Sequence, residues 1–155
     1  MNKVMNYFTG TSERAATSAL WLIRFLVGWV FIFAGIRKFT EPAEMGAGRF
    51  ADMGMPFPEF MGVWVGFWEI AGGLMVLLGL LTRAGAIPLI IVMIVAILTT
   101  KVPTFQADGW IAGLHSARLD VSLLLASTYL LIAGGGRYAL DRLLRKANPD
   151  SVRNS

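Results

Sequence analysis

The chain contains no cysteine and a single histidine, His115. Without cysteine there is no disulfide, no thiol nucleophile and no thiolate-held cluster. One histidine excludes two-histidine haem ligation within one chain and a three-histidine zinc site. Metal-ligand spacing, a phosphate-binding glycine loop, a nucleophile triad and a dinucleotide fingerprint are missing as well. No haem, iron–sulfur cluster or structural metal is therefore expected within one chain. A redox role would need a bound organic cofactor, a partner's cofactor, or ligands shared between subunits. Charge is scarce too: 15% of the 155 residues are charged, against about 25% in an ordinary soluble domain.

What stands in place of charge is apolar and unevenly spread. Hydrophobic residues make up 55% of the chain, mean hydropathy is +0.61, and four runs hold most of it: residues 19–36, 60–81, 84–100 and 119–134. A bilayer core of about 30 Å takes roughly 20 apolar residues per helix. The pattern predicts an all-α integral membrane protein, an antiparallel four-helix bundle forming one domain over residues 1–155, with polar ends at 1–11 and 147–155. The first run exceeds a usual signal h-region, contains Arg24, and ends in Arg37-Lys38 without a small-residue cleavage motif, so it reads as a retained helix.

The net charge of +4 is distributed for topology and not for nucleic acid. With both ends and the Arg83 turn on one side, that side carries Lys3, Arg14, Arg83, Arg137, Arg142, Arg145, Lys146 and Arg153. The other carries fewer cations, Arg37, Lys38, Arg49, Lys101 and Arg118. The positive-inside rule then places both termini in the cytoplasm. Residues 138–146 read as a short amphipathic segment against the membrane surface. Thr11 or Ser12 can cap the first helix, with Glu13 in its first turn.

Within the runs the faces are legible. At 100° per residue Arg24, Gly28, Phe31, Gly35 and Lys38 fall on one narrow face of the first span. Gly62, Gly66, Glu69 and Gly73 share a face of the second, and Gly62 to Gly66 is a small-xxx-small pair of the kind that lets helices approach closely in membranes. Both faces are expected to turn toward the bundle. Pro42, Pro56 and Pro58 break the first long loop, with room for a short helix at 43–53. Thr82-Arg83 forces a hairpin between the second and third spans. Residues 101–118, with Pro103 and Asp108-Gly109, read as a second long loop. Gly134 to Gly136 ends the fourth span.

Two constellations carry chemistry. Arg24 and Glu69 are ionisable groups inside spans, and such residues mark functional sites by default. The axial gap between them is comparable to an arginine side chain, so a direct or water-bridged pair is expected. Three readings of it stand: a register-fixing ion pair, the wall of a polar cavity, or a proton relay. Around the outer ends lie Arg37, Lys38, Lys101, His115, Arg118 and Asp120, which can hold a quinone carbonyl, an anion or a lipid phosphate, or simply snorkel to the interface. Lys38 is expected to turn inward. Aromatic residues crowd spans one and two; they can sandwich a ring or merely pack, and Trp68 stands beside Glu69.

The order Arg24…Gly28…Phe31…Gly35…Lys38, then Gly54-Met55-Pro56, then Trp68-Glu69-Ile70-Ala71-Gly72-Gly73 through Leu78-Gly79-Leu80-Leu81-Thr82-Arg83, then Gly134-Gly135-Gly136-Arg137-Tyr138-Ala139-Leu140-Asp141-Arg142 resembles the DoxX family of small bacterial membrane proteins. The resemblance covers roughly residues 20–142. It implies a four-helix bundle in the bacterial cytoplasmic membrane, in a family associated with quinone-linked oxidation, sulfur chemistry and oxidative stress. The expectation is a membrane subunit of a quinone-linked oxidoreductase, with Glu69 and Arg24 as catalytic candidates and Lys38, His115, Asp120 and Trp68 as binding candidates. Quinone is the cofactor implied, the bilayer and a protein partner or second copy are the partners, and stand-alone catalysis is not implied. A non-catalytic scaffold docking a soluble redox enzyme, and a carrier for a small solute or lipid, are the competing readings.

Overall fold

A computed structural model describes residues 13–142. The expected cap at Thr11 or Ser12, the polar ends and the far half of the amphipathic segment at 138–146 lie outside the described residues. Within them every regular element is helical. Three stretches are long and apolar enough to cross a membrane: Thr17–Thr40, Pro58–Leu78 and Thr82–Ala133.

The first helix, α1 (Glu13–Thr40), stops just before Pro42, whose ring disfavours helical geometry at the residue preceding it. A short α2 (Ala47–Asp52) follows inside the proline-rich loop and buries Phe50. Next comes α3 (Pro58–Leu78), with Pro58 in its first turn where no intrahelical N–H partner is needed. At its other end Gly79 adopts φ +71°, and the Leu80 N–H returns to the Met75 carbonyl at 2.9 Å. That left-handed closure suits glycine, which has no side chain to clash. A hairpin then leads into α4 (Thr82–Ala96), a π-helical turn at Ile97–Lys101, and α5 (Val102–Ala133).

The expected glycine faces meet. A Cβ on Gly28 would lie 2.8 Å from the Gly73 carbonyl oxygen, and one on Gly35 would lie 2.8 Å from that of Gly66. At these points α1 and α3 touch backbone to backbone, which only a missing side chain permits. The contact also fixes an antiparallel register in which Gly35 sits level with Glu69. Phe31, Val27, Val76, Leu89 and Leu130 fill the core between the helices.

The stretch 101–118 departs from the expected loop. It is helical apart from Gly109, whose φ of 83° and ψ of 176° break the path. Pro103 falls in the first turn of α5, where its missing N–H costs nothing. A straight 52-residue helix would run about 78 Å. Instead Lys101 pairs with Asp120 and Gly135 lies against Thr82, so the chain reverses at Gly109 and α5 returns along α4. The Arg137 N–H donates to the Thr17 carbonyl at 3.4 Å, which brings the two described ends of the chain together. We call this the terminal end and the Lys101–Asp120 region the far end.

Candidate functional site

Glu69 is 2% exposed on the inward face of α3, and its partner comes from α1. Lys38 Nζ donates to Glu69 Oε2 at 2.6 Å, with the two side chains 14% and 3% exposed. A buried carboxylate needs such a counterion, because removing one member of a buried pair leaves an uncompensated charge. Gly66, one turn away on α3, makes room for the contact: a Cβ there would lie 3.2 Å from Lys38 Cβ.

The expected Arg24–Glu69 pair does not form. Glu69 is level with Gly35, eleven residues beyond Arg24, or roughly 16 Å along the axis. Direction matters as much as distance. Helical side chains lean toward their own N-terminus, so Arg24 leans toward the terminal end while Glu69, on an antiparallel helix, leans toward the far end and Lys38. Arg24 is buried all the same, at 4% exposure. Its Nε donates to the Val76 carbonyl at 2.9 Å, Nη2 to the Leu77 carbonyl at 2.8 Å and Nη1 to the Gly135 carbonyl at 3.0 Å. Two of these acceptors belong to the last turn of α3, where carbonyls lack intrahelical partners and the helix dipole is negative. Around this knot, Asp141 Oδ2 accepts from the Leu81 N–H at 2.7 Å and the Asp141 N–H donates to the Gly79 carbonyl at 3.2 Å. The Gly134–Gly136 ending therefore has a use that helix termination alone does not reveal: it delivers a carbonyl to Arg24.

A cavity of about 1110 Å³ lies along the Lys38–Glu69 pair. Its walls come from α1, α3 and α4, the loop after α1 with α2, the π-helical turn and, at Asp120, α5. Lys38, Glu69, Trp68 and Asp120 all line it; Arg24 and His115 do not. Trp68 makes edge contacts with Trp64 and Phe67, at ring-centroid distances of 5.7 and 5.5 Å. Asp120 is held by Lys101 at 3.2 Å, both side chains partly exposed. His115 is exposed, and its carbonyl accepts from Arg118 Nη1.

Sequence reasoning missed two features of this cavity. Met45, Met53, Met55 and Met61 line it near the loop after α1, and thioether side chains give a soft, adaptable apolar wall. Their bunching within residues 45–61 was a readable signal. Thr99 and Thr100, on the π-helical turn, also line it, and their hydroxyls donate to the Val95 and Ala96 carbonyls at 2.8 and 2.6 Å. No sequence pattern marks that turn.

The site can hold a molecule with a flat apolar body and a hydrogen-bonding edge. A quinone has that form, and the residues fit it: aromatic and thioether walls, with the Lys38 ammonium paired to the Glu69 carboxylate and Arg37, Arg49 and Asp120 elsewhere on the lining. Among the described residues no cluster of three or more His, Asp or Glu stands where a metal ion could be held.

Comparison with known proteins is consistent with this architecture. The DoxX family pattern matches residues 19–102. Over 130 residues the chain is 46% identical to "Uncharacterized membrane protein Rv3486" of Mycobacterium tuberculosis, covering 80% of each chain. It is 30% identical over 125 residues to "Putative oxidoreductase CatD" of Bacillus subtilis, covering 81% of this chain and 86% of that one. It is 33% identical over 125 residues to "Inner membrane protein YqjF" of Escherichia coli, covering 79% and 89%. No solved structure matches.

Proposed function

The chain belongs to the DoxX family of membrane proteins, and from that membership we propose that it is the membrane subunit of a quinone-linked oxidoreductase system, with its ligand site at Lys38 and Glu69. It lies in the bacterial cytoplasmic membrane as one domain of four crossings, α1, α3, α4 and α5, with both termini in the cytoplasm. The observation that carries the reading is a buried acid–base pair forming the wall of a large, mostly apolar cavity. The oxidoreductase assignment in the name of the Bacillus subtilis relative supports it from outside.

A bound quinone would supply the electron- and proton-accepting chemistry. The chain's own residues do the rest. Lys38 has three N–H donors and gives one to Glu69, leaving two to orient a carbonyl oxygen of the ligand. Glu69, shielded from water, stores or releases a proton at Oε1, the carboxyl oxygen that does not accept from Lys38, in a low-dielectric setting where small changes in nearby charge shift its occupancy strongly. Trp68 and the methionines exclude water and fill the space around a ring. Arg24, placed among the catalytic candidates by sequence, becomes an architectural residue in this reading. Electrons come from a protein partner, since the chain has no metal-binding thiolates.

Binding of a quinone by the purified protein in lipid, followed by an optical or fluorescence change, tests this. The wild type is expected to bind, and Glu69→Gln to fold and insert but lose at least about tenfold in affinity. A Glu69→Gln chain that binds normally would remove the acid from the site. Absence of quinone binding in the wild type, with a docked soluble enzyme instead, would favour the scaffold.

A further inference from the structure

We infer that the seam between α3 and α4 is a lateral portal, through which a ring-headed amphiphile dissolved in the bilayer passes its head to Lys38 and Glu69 while its hydrocarbon tail stays in the seam. This rests on the quinone reading above and adds to it a route and a tail.

The argument starts from who shares the cavity wall. Glu69 and Met93 are 2% and 7% exposed, yet Trp64 and Ile91, lining the same cavity, are 49% and 55% exposed. A cavity whose wall includes both core residues and outward-facing apolar residues opens through the side of the bundle. In a membrane protein that side faces acyl chains.

The helix faces say where. On α3, Gly28 and Gly35 of α1 contact the Gly66–Gly73 face, and Gly85 of α4 contacts Gly72 and Met75. At 100° per residue Glu69 falls between these two contacts, facing the interior, Trp68 falls within the α4 contact, and Trp64 falls beyond it, on the outer flank. On α4 the same count turns Met93 inward and Ile91 outward. One cavity touching all of them passes between the two helices.

The seam is shut at one end only. Near the terminal end a Cβ on Gly72 would lie 2.9 Å from the Gly85 carbonyl oxygen, so the helices are in backbone contact there. Toward the far end the remaining α3 glycines are used elsewhere: Gly62 faces Ala47, and Gly66 faces Lys38 and Phe39. The seam above Gly72 is edged by tryptophan and isoleucine, with no glycine to draw the backbones together. Volume points the same way. At about 1110 Å³ the cavity exceeds the usual ligand range of about 300–1,000 Å³, far more than a single ring fills. A tail that never leaves the hydrocarbon phase also avoids the cost of crossing water that a route through the polar loop would impose.

Two measurements in proteoliposomes test this. First, a benzoquinone with a decyl tail ending in a photoreactive diazirine is crosslinked to the unaltered protein, and labelled peptides are read by mass spectrometry. Label on residues 64–68 or 91–95, displaced by excess ring lacking the tail, is expected. Label confined to α1, α5 or the loop 41–57 would overturn the portal. Second, Ile91→Trp plugs the seam from an outward-facing position. It should weaken or slow capture of the tailed ring by at least about tenfold, with the tailless ring bound as before. Equal capture of the tailed ring by Ile91→Trp and wild type would end the portal while leaving the quinone site intact. Failure of the tailless ring to bind the wild type would end both.

Discussion

Arg24 and Lys38 stand on one face of α1, roughly four turns apart, and both point into the bundle, but their surroundings differ in kind. Arg24 donates from each of its three nitrogens to a backbone carbonyl and packs against Gly79. Lys38 has one side-chain partner, Glu69, and a cavity beside it. Acceptors that belong to the backbone cannot be altered by substitution and have no proton to exchange. A carboxylate can be altered and can take up a proton. A buried charge is thus a poor guide to chemistry until its partners are known: the terminal end uses its cation to join α3 to the chain after α5, and the cavity keeps its cation beside a group that titrates.

That contrast can be broken by substitution. The largest effect is expected from Arg24→Met, which takes the guanidinium from the Leu77 and Gly135 carbonyls and leaves the Val76 carbonyl only the Gly79 N–H, at a cost on the order of 3–5 kcal/mol. A thermal unfolding scan in detergent would show it as a large fall in midpoint, and Arg24→Lys should recover little because a lone ammonium cannot span three acceptors. At the cavity the order of effects should invert. Glu69→Met alone strands the ammonium and costs roughly 3 kcal/mol, whereas Lys38→Met with Glu69→Met removes both charges and should return stability to within about 1 kcal/mol of wild type. Ring binding should be absent in both. A double variant as unstable as the single one would mean that the pair, like Arg24, is chiefly architectural.

A smaller loss, about 1–3 kcal/mol, is expected for Gly79→Ala. Its backbone has φ +71°, and the added carbon would sit 2.5 Å from Arg24 Nη2. The same unfolding scan measures it, and Gly79→Ala combined with Arg24→Met should cost less than the two separately, since both act on one knot. Least affected should be Asp120→Asn. Its bridge to Lys101 is longer, at 3.2 Å, and its side chains are 17% and 19% exposed, less buried than Glu69, so the loss is expected to be on the order of 1–2 kcal/mol. Asp120→Asn lowering stability as much as Glu69→Met would show that the far end is as tightly built as the terminal one.

Much of this was readable from residue spacing. Glycines seven apart on each helix, Gly28 and Gly35 on α1 and Gly66 and Gly73 on α3, mark where the two touch, because a side chain there would keep the backbones apart, and Glu69 between the α3 pair had to face inward. The partner of Glu69 was not readable by counting rise alone, since a helical wheel gives the direction around the axis and not the lean of the side chain along it. That lean separates Arg24 from Glu69 and delivers Lys38 to it. Residues 101–118 misled for a different reason. Pro103 and Asp108-Gly109 are turn signals, but a proline in a first turn is compatible with helix, and one glycine sufficed for the reversal. His115 then falls on an exposed helical surface, away from the cavity. The methionine wall has no helical period to mark it, and its one sequence signal is the bunching of Met45, Met53, Met55 and Met61.

The reversal at Gly109 bears on how the protein is made. Residues 82–133 fold back on themselves around one glycine, with only a short run of polar side chains near the bend, among them Lys101, Gln106, Asp108 and Arg118. A translocation machine meeting this stretch has only these few polar side chains, and no folded domain, to carry between the two arms. The arms should therefore slip into the lipid jointly, as a preformed helical hairpin, and lengthening the bend with soluble sequence would convert one insertion event into two.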